Sequence, residues 1–207
     1  MRMPSPKFKF QCSVMRLISI AFFTSVCAIL PVGGAQIRQF DLKTTESLGR
    51  QLYEQSANPS KSFSPRFLQA RQISLAALPQ IDRARYHFEV LKDPTGDGLL
   101  VYALADSKNP NDVVLGVHYR VSVTDDAKSV KPIDALSRSA LVVNQSKGIP
   151  KGTTTGPLWA ISLVSLTPLE THVYLSLLHH TPIYIGTADH SIWKVDGAQI
   201  SKVRGGH

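Results

Sequence analysis

The apolar run Leu17–Leu30 constrains this chain more than any other feature of its sequence. Arg2, Lys7, Lys9 and Arg16 lie ahead of it, no acidic residue occurs before Asp41, and Pro31 ends it. A basic start, an apolar stretch and small residues at Gly33 and Ala35 form the pattern of a cleavable export signal, with the cut between Ala35 and Gln36. As a helix the run would reach about 21 Å, short of a hydrocarbon core of about 30 Å, so cleavage is favoured over anchoring. Thr24-Ser25-Val26 ahead of Cys27 does not make a lipobox.

Removal of residues 1–35 leaves 172 of the 207, enough for a single domain with its own core. Both cysteines, Cys12 and Cys27, leave with the signal. Residues 36–207 must therefore fold without a disulfide, a thiol nucleophile or a thiolate metal site. The formal net charge of +8 falls to +4 without the four basic residues of the leader, and it is spread thinly. That pattern excludes a nucleic-acid footprint and limits membrane contact to the signal segment before cleavage.

Local patterning predicts an α+β fold: an antiparallel sheet with two N-terminal helices and one helix before a C-terminal β-meander. Thr44–Ala57 reads as a helix with Thr44 as N-cap and Leu48, Leu52 and Tyr53 on its buried face. Ser64 and Pro65 open a second helix in which Phe67, Leu68, Arg71, Leu75 and Leu78 recur at helical spacing until Pro79. A period of two then marks Tyr86–Leu91, a partner strand Leu99–Ala105 beyond the Asp93–Gly98 turn, and Val117–Thr124 with one face in the core and one wet. A short strand follows near Ser129–Ile133, and 144–157 is rich in Gly, Thr, Lys and Pro and reads as a flexible loop. Leu158–Leu166 is a strand, and Thr167-Pro168-Leu169-Glu170 reads as a capping box that starts a helix over Pro168–His180. The meander is Ile183–Thr187, Ser191–Val195 and Gln199–Val203.

Motif chemistry is sparse. His87 and Glu89 share one strand face, as do His118 and Arg120; on adjacent strands they would form a proton-transfer or metal-binding patch, and otherwise a solvated face. His172 and His179 share a helix side but stand about 10 Å apart along it, too far for one ion. Asp93–Gly98 lacks the alternating ligands and closing Glu of a calcium loop and reads as a turn. Gly-x-Ser-x-Gly and Gly-rich phosphate loops are absent, and Ser137 and Ser139 beside Arg138 have no His near them in sequence. Trp159, Trp193 and Tyr184 read as core anchors. No metal or cofactor is implied.

Gly116-Val117-His118-Tyr119-Arg120-Val121, Pro168-Leu169-Glu170-Thr171-His172-Val173, Pro182–Thr187 and Trp193–Gly197 resemble exported bacterial proteins of unassigned function, over roughly the C-terminal half. The resemblance implies a cell-envelope protein and carries no site residues. The expectation is an exported, periplasmic or secreted domain that binds a protein or small ligand in the envelope without catalysis. Its rival is an exported hydrolase or metal-dependent enzyme built on His87, Glu89, His118 and Arg120.

Overall fold

A computed structural model describes residues 37–58, 64–79, 81–96, 98–145 and 156–204. The expected signal segment and its cleavage point lie outside these residues, as does 146–155 of the expected loop.

Helix α1 spans Leu42–Ala57 and is capped by Asp41, one turn before the expected Thr44. The Asp41 carboxylate takes both the Thr44 N–H at 2.9 Å and the Thr44 hydroxyl at 2.6 Å. Thr44 is thus the third helical residue, where its N–H needs an acceptor, and not the cap that supplies one. Leu48 and Leu52 are buried and Tyr53 packs beside them, as the spacing predicts. Helix α2, Pro65–Ala77, opens on Ser64 and Pro65 as expected. Its buried face, however, centres on the small residues Ala70 and Ser74, and Leu68 faces solvent.

Strands β1 (Tyr86–Lys92), β2 (Gly98–Ala105), β4 (Tyr119–Thr124) and β5 (Val130–Ala135) form an antiparallel sheet in the order β1-β2-β4-β5. A short pair, β3 (Asp112–Val114) with β6 (Val142–Asn144), lies beside it and takes up the first residue of the expected loop. Strands β7 (Leu158–Ser162), β8 (Ile183–Thr187), β9 (Ile192–Asp196) and β10 (Gln199–Arg204) form a second sheet, ordered β10-β9-β8-β7. Its last three strands are the predicted meander. Helix α3, Glu170–His179, connects β7 to β8, and those two strands pair in parallel. A parallel neighbour requires such a crossover.

Every position of β2 is buried, because both faces of the first sheet are covered. Leu99, Val101 and Ala103 meet Ala70 and Leu78 on the α2 side. Leu100, Tyr102 and Leu104 belong to the larger core with α1, with Val173 and Leu175 of α3, and with Ile183, Ile185 and Val195 of the second sheet. The face of β4 expected to be wet is the one turned toward this larger core.

The outer face of the second sheet is less covered. Trp159 is 57% exposed and Ile161 75% exposed, while Trp193 is buried. Trp159 is therefore no core anchor. It stands on the solvent side of β7, stacked on Tyr184 of β8 with ring centroids 4.5 Å apart. Among the described residues no helix is long and apolar enough to cross a membrane.

Candidate functional site

The four candidates His87, Glu89, His118 and Arg120 do not form one patch. Strand β2 lies between β1 and β4, and Tyr102 is the register partner of both Glu89 and Arg120. Two strand spacings, about 10 Å, separate the pairs. The structure places Arg120 in one polar cluster and His87 with Glu89 in another, and it holds His118 apart between backbone groups.

In the first cluster Arg120 is fully buried. Its Nε and Nη2 donate to Asp134 Oδ2 at 3.1 and 2.7 Å, and its Nη1 to Glu170 Oε1 at 2.6 Å. Nη2 also donates to the Arg38 carbonyl. Tyr102 donates its hydroxyl to the same Glu170 oxygen at 3.0 Å, and the Phe40 ring lies 4.8 Å from the guanidinium carbon. Burial alone would lower the pKa of Arg120, but the Glu170 and Asp134 carboxylates and Tyr102 reverse that and raise it. Four of the guanidinium's five N–H donors bond within the fold, so this cluster ties β4 to β5 and α3.

The same cluster explains how α3 begins. Helical conformation starts at Glu170, with Leu169 as cap, two residues after the expected start at Pro168. Glu170 does not turn back to close a box with Thr167; it is drawn to Arg120, since a buried guanidinium must be paired. His172 takes the closing role instead, accepting the Leu169 N–H on Nδ1 at 3.0 Å.

His118 precedes β4, behind the backbone turn at Val117, whose φ is 57°. Its Nδ1 accepts the Ala105 N–H at 3.0 Å, which leaves the proton on Nε2 for the Val114 carbonyl at 2.9 Å. Burial lowers the pKa of His118 and of His172 to about 4. Both rings are neutral in the folded chain at ordinary pH, whereas an unfolded histidine titrates near 6.5. Above that value neither state binds the proton and stability is unaffected. As pH falls from about 6.5 toward 4 the unfolded chain takes up protons that the folded chain refuses, and stability is lost. Melting temperature is expected to be level from pH 8 to 7 and to fall between pH 6.5 and 4.5. Each histidine contributes a slope of up to roughly 1.4 kcal/mol per pH unit. A profile level down to pH 4.5 in scanning calorimetry would contradict the assignment.

The second cluster surrounds His87, which is half-buried. Its Nδ1 lies 2.6 Å from Asp106 Oδ2; its Nε2 lies 3.4 Å from Ser56 Oγ and 3.3 Å from the Tyr174 hydroxyl. Ser56 in turn donates to Glu89 at 3.1 Å. Burial raises the Glu89 carboxyl, opposed by Ser56, His87 and Arg71, and pushes the Tyr174 hydroxyl up to about 12. Asp106, His87 and Ser56 are spaced like carboxylate, base and nucleophile. Two features oppose that chemistry. Ser56 lies in the last turn of α1, where free carbonyls place partial negative charge against a developing oxyanion. Its proton is held by Glu89 and not by the imidazole. Ser56, Asp106 and Tyr174 were not legible as partners of His87, because no local spacing links a helix end, a strand and a turn.

The third cluster borders a small cleft, open to solvent, between β7, the start of α3 and the segment 136–141. Leu115, Leu141 and Leu163 line it together with Arg138, Ser162 and His172. The tertiary fold thus supplies the histidine that Ser137 and Ser139 lack in sequence. Ser137 itself is committed: its Oγ accepts the Val117 N–H at 2.7 Å and donates to the Ser139 carbonyl at 3.1 Å. Ser162 is not; it is 7% exposed and its Oγ has no hydrogen-bond partner. Among the described residues no group of three His, Cys, Asp or Glu side chains is arranged to hold a metal ion. No family model, curated protein or solved structure matches this chain.

Proposed function

We propose that this chain is exported to the periplasm or beyond the cell, and that residues 36–207 serve there as a ligand-binding domain without catalytic activity. Support for export is the basic start, apolar block and small-residue cleavage pattern of residues 1–35. Support for binding is the cleft beside β7, which joins apolar walls to a buried hydroxyl with unused hydrogen-bonding capacity. Concave apolar surface with a few convergent polar groups is the usual form of a small-molecule site.

Two measurements test the reading. The full chain, expressed with its own leader in a bacterial host, is expected outside the cytoplasm with Gln36 as its first residue; an intact precursor confined to the cytoplasm would refute export. A thermal-shift screen of purified residues 36–207 against small metabolites is expected to find a class that raises the melting temperature; a screen with no stabilising compound would refute small-ligand binding.

The Asp106–His87–Ser56 alignment favours a second reading, an exported hydrolase. A fluorophosphonate probe separates the two. No labelling of Ser56 is expected, and Ser56→Ala is expected to lower stability by about 1 kcal/mol through loss of one hydrogen bond. Covalent labelling abolished by Ser56→Ala would establish the hydrolase.

A further inference from the structure

We infer that the cleft beside β7 takes a carboxylate attached to a short apolar body. The inference rests on the binding reading and specifies its ligand. Three groups of the lining point to it. Ser162 Oγ is buried without a partner, so its hydroxyl can donate without breaking an existing bond. His172 has its Nδ1 committed to the Leu169 N–H, so the proton of the neutral ring sits on Nε2, and none of the described residues accepts it. Arg138 is exposed, and among the described residues no carboxylate forms a salt bridge with it.

The lining thus offers neutral donors, Ser162 and His172 among them, and one cation, and it contains no Asp or Glu. An anionic acceptor gains charge-assisted hydrogen bonds in such a setting, whereas a cation would face Arg138 with no carboxylate to pair it. Leu115, Leu136, Leu141, Ala160, Leu163 and Val164 make the remaining wall apolar, which requires a hydrocarbon body on the acceptor. The cleft is small, which restricts that body to a few carbons. A free short-chain acid and a peptide C-terminus with an aliphatic last residue share this chemistry.

Calorimetric titration of residues 36–207 tests the inference with isovalerate, its neutral counterpart isovaleramide, and an N-acetylated peptide ending in leucine. Isovalerate or the peptide is expected to bind, and whichever does names the source; isovaleramide is expected to bind at least tenfold more weakly. Arg138→Gln and Ser162→Ala are each expected to weaken binding about tenfold, the scale of one charge-assisted hydrogen bond. Ser162→Ala removes a hydroxyl that makes no bond, so the unliganded protein should melt no lower than the parent. Equal binding of acid and amide, or affinity unchanged in both variants, overturns the carboxylate assignment while leaving the binding reading in place. If these probes fail and the metabolite screen also finds nothing, both fall; if the screen finds only uncharged ligands, the carboxylate assignment alone falls.

Discussion

Replacing Arg120 with methionine is expected to destabilise the folded chain by about 3–5 kcal/mol, the effect of stranding buried charge. Arg120 is fully buried, and Asp134 and Glu170, its two carboxylate partners, are 6% and 1% exposed. Both would be left without their cation, and the Arg38 carbonyl and the Nη1–Glu170 bond of 2.6 Å would be lost with it. Methionine fills a similar volume, so the loss reports electrostatics and hydrogen bonding more than a cavity. Arg120→Lys is not expected to rescue the variant, since one ammonium cannot reproduce the Nε and Nη2 fork on Asp134 together with the Nη1 bond to Glu170. The informative comparison is Arg120→Met combined with Asp134→Asn and Glu170→Gln. Neutralising both carboxylates should recover more than half of the loss, because the main penalty lies in uncompensated charge. Urea unfolding of the three variants checks this. A single-variant cost under 1 kcal/mol, or no recovery in the triple variant, would show that the network does not hold the fold together.

Arg120 also shows how far the sequence could be read. The alternation over Tyr119–Val123 identifies a strand, and the α+β class follows from the order of such segments. Alternation says which residues share a face, but not what covers that face. Here α1, α3 and the second sheet cover the side carrying Arg120, so a residue type that is ordinarily wet is the largest fully buried side chain of the fold. That same burial displaced the start of α3, since Glu170 satisfies Arg120 before it satisfies a cap. The clefts and polar clusters were beyond local reading for a related reason. Ser162 and His172 are 10 residues apart in sequence, yet they line one cleft with Arg138 only because β7, the 136–141 segment and α3 converge. Likewise alternation puts His87 and Glu89 on one face, but their partners Ser56 and Tyr174 come from two helices that carry no shared motif.

The contact that brings those two helices together gives the second large effect. Gly49 of α1 is buried against α3, and a Cβ there would lie 2.4 Å from Val173 Cβ, 2.5 Å from Val173 Cγ1 and 2.7 Å from the Glu170 carbonyl oxygen. Helix propensity favours Gly49→Ala by about 1 kcal/mol, so propensity and packing predict opposite signs. The overlap is with a Cβ and a backbone oxygen, neither of which can turn away as a flexible side-chain tip would, so α1 and α3 must separate. Overpacking of this kind costs about 1–3 kcal/mol, and a net loss of about 2 kcal/mol is expected despite the gain in propensity. Val173→Ala should not restore stability, because it leaves both the Cβ and the Glu170 oxygen in place. Gly96→Ala, in a turn where a Cβ would meet nothing within 4 Å, serves as the control and should change stability by less than about 0.5 kcal/mol. Separation of the helices should also loosen Glu170 from Arg120 and Tyr174 from His87, so near-ultraviolet dichroism from Tyr102 and Tyr174 should weaken along with the melting temperature. A Gly49→Ala variant that melts higher than the parent would mean that the two helices do not meet this closely, and the path from α1 through α3 to Arg120 would have to be abandoned.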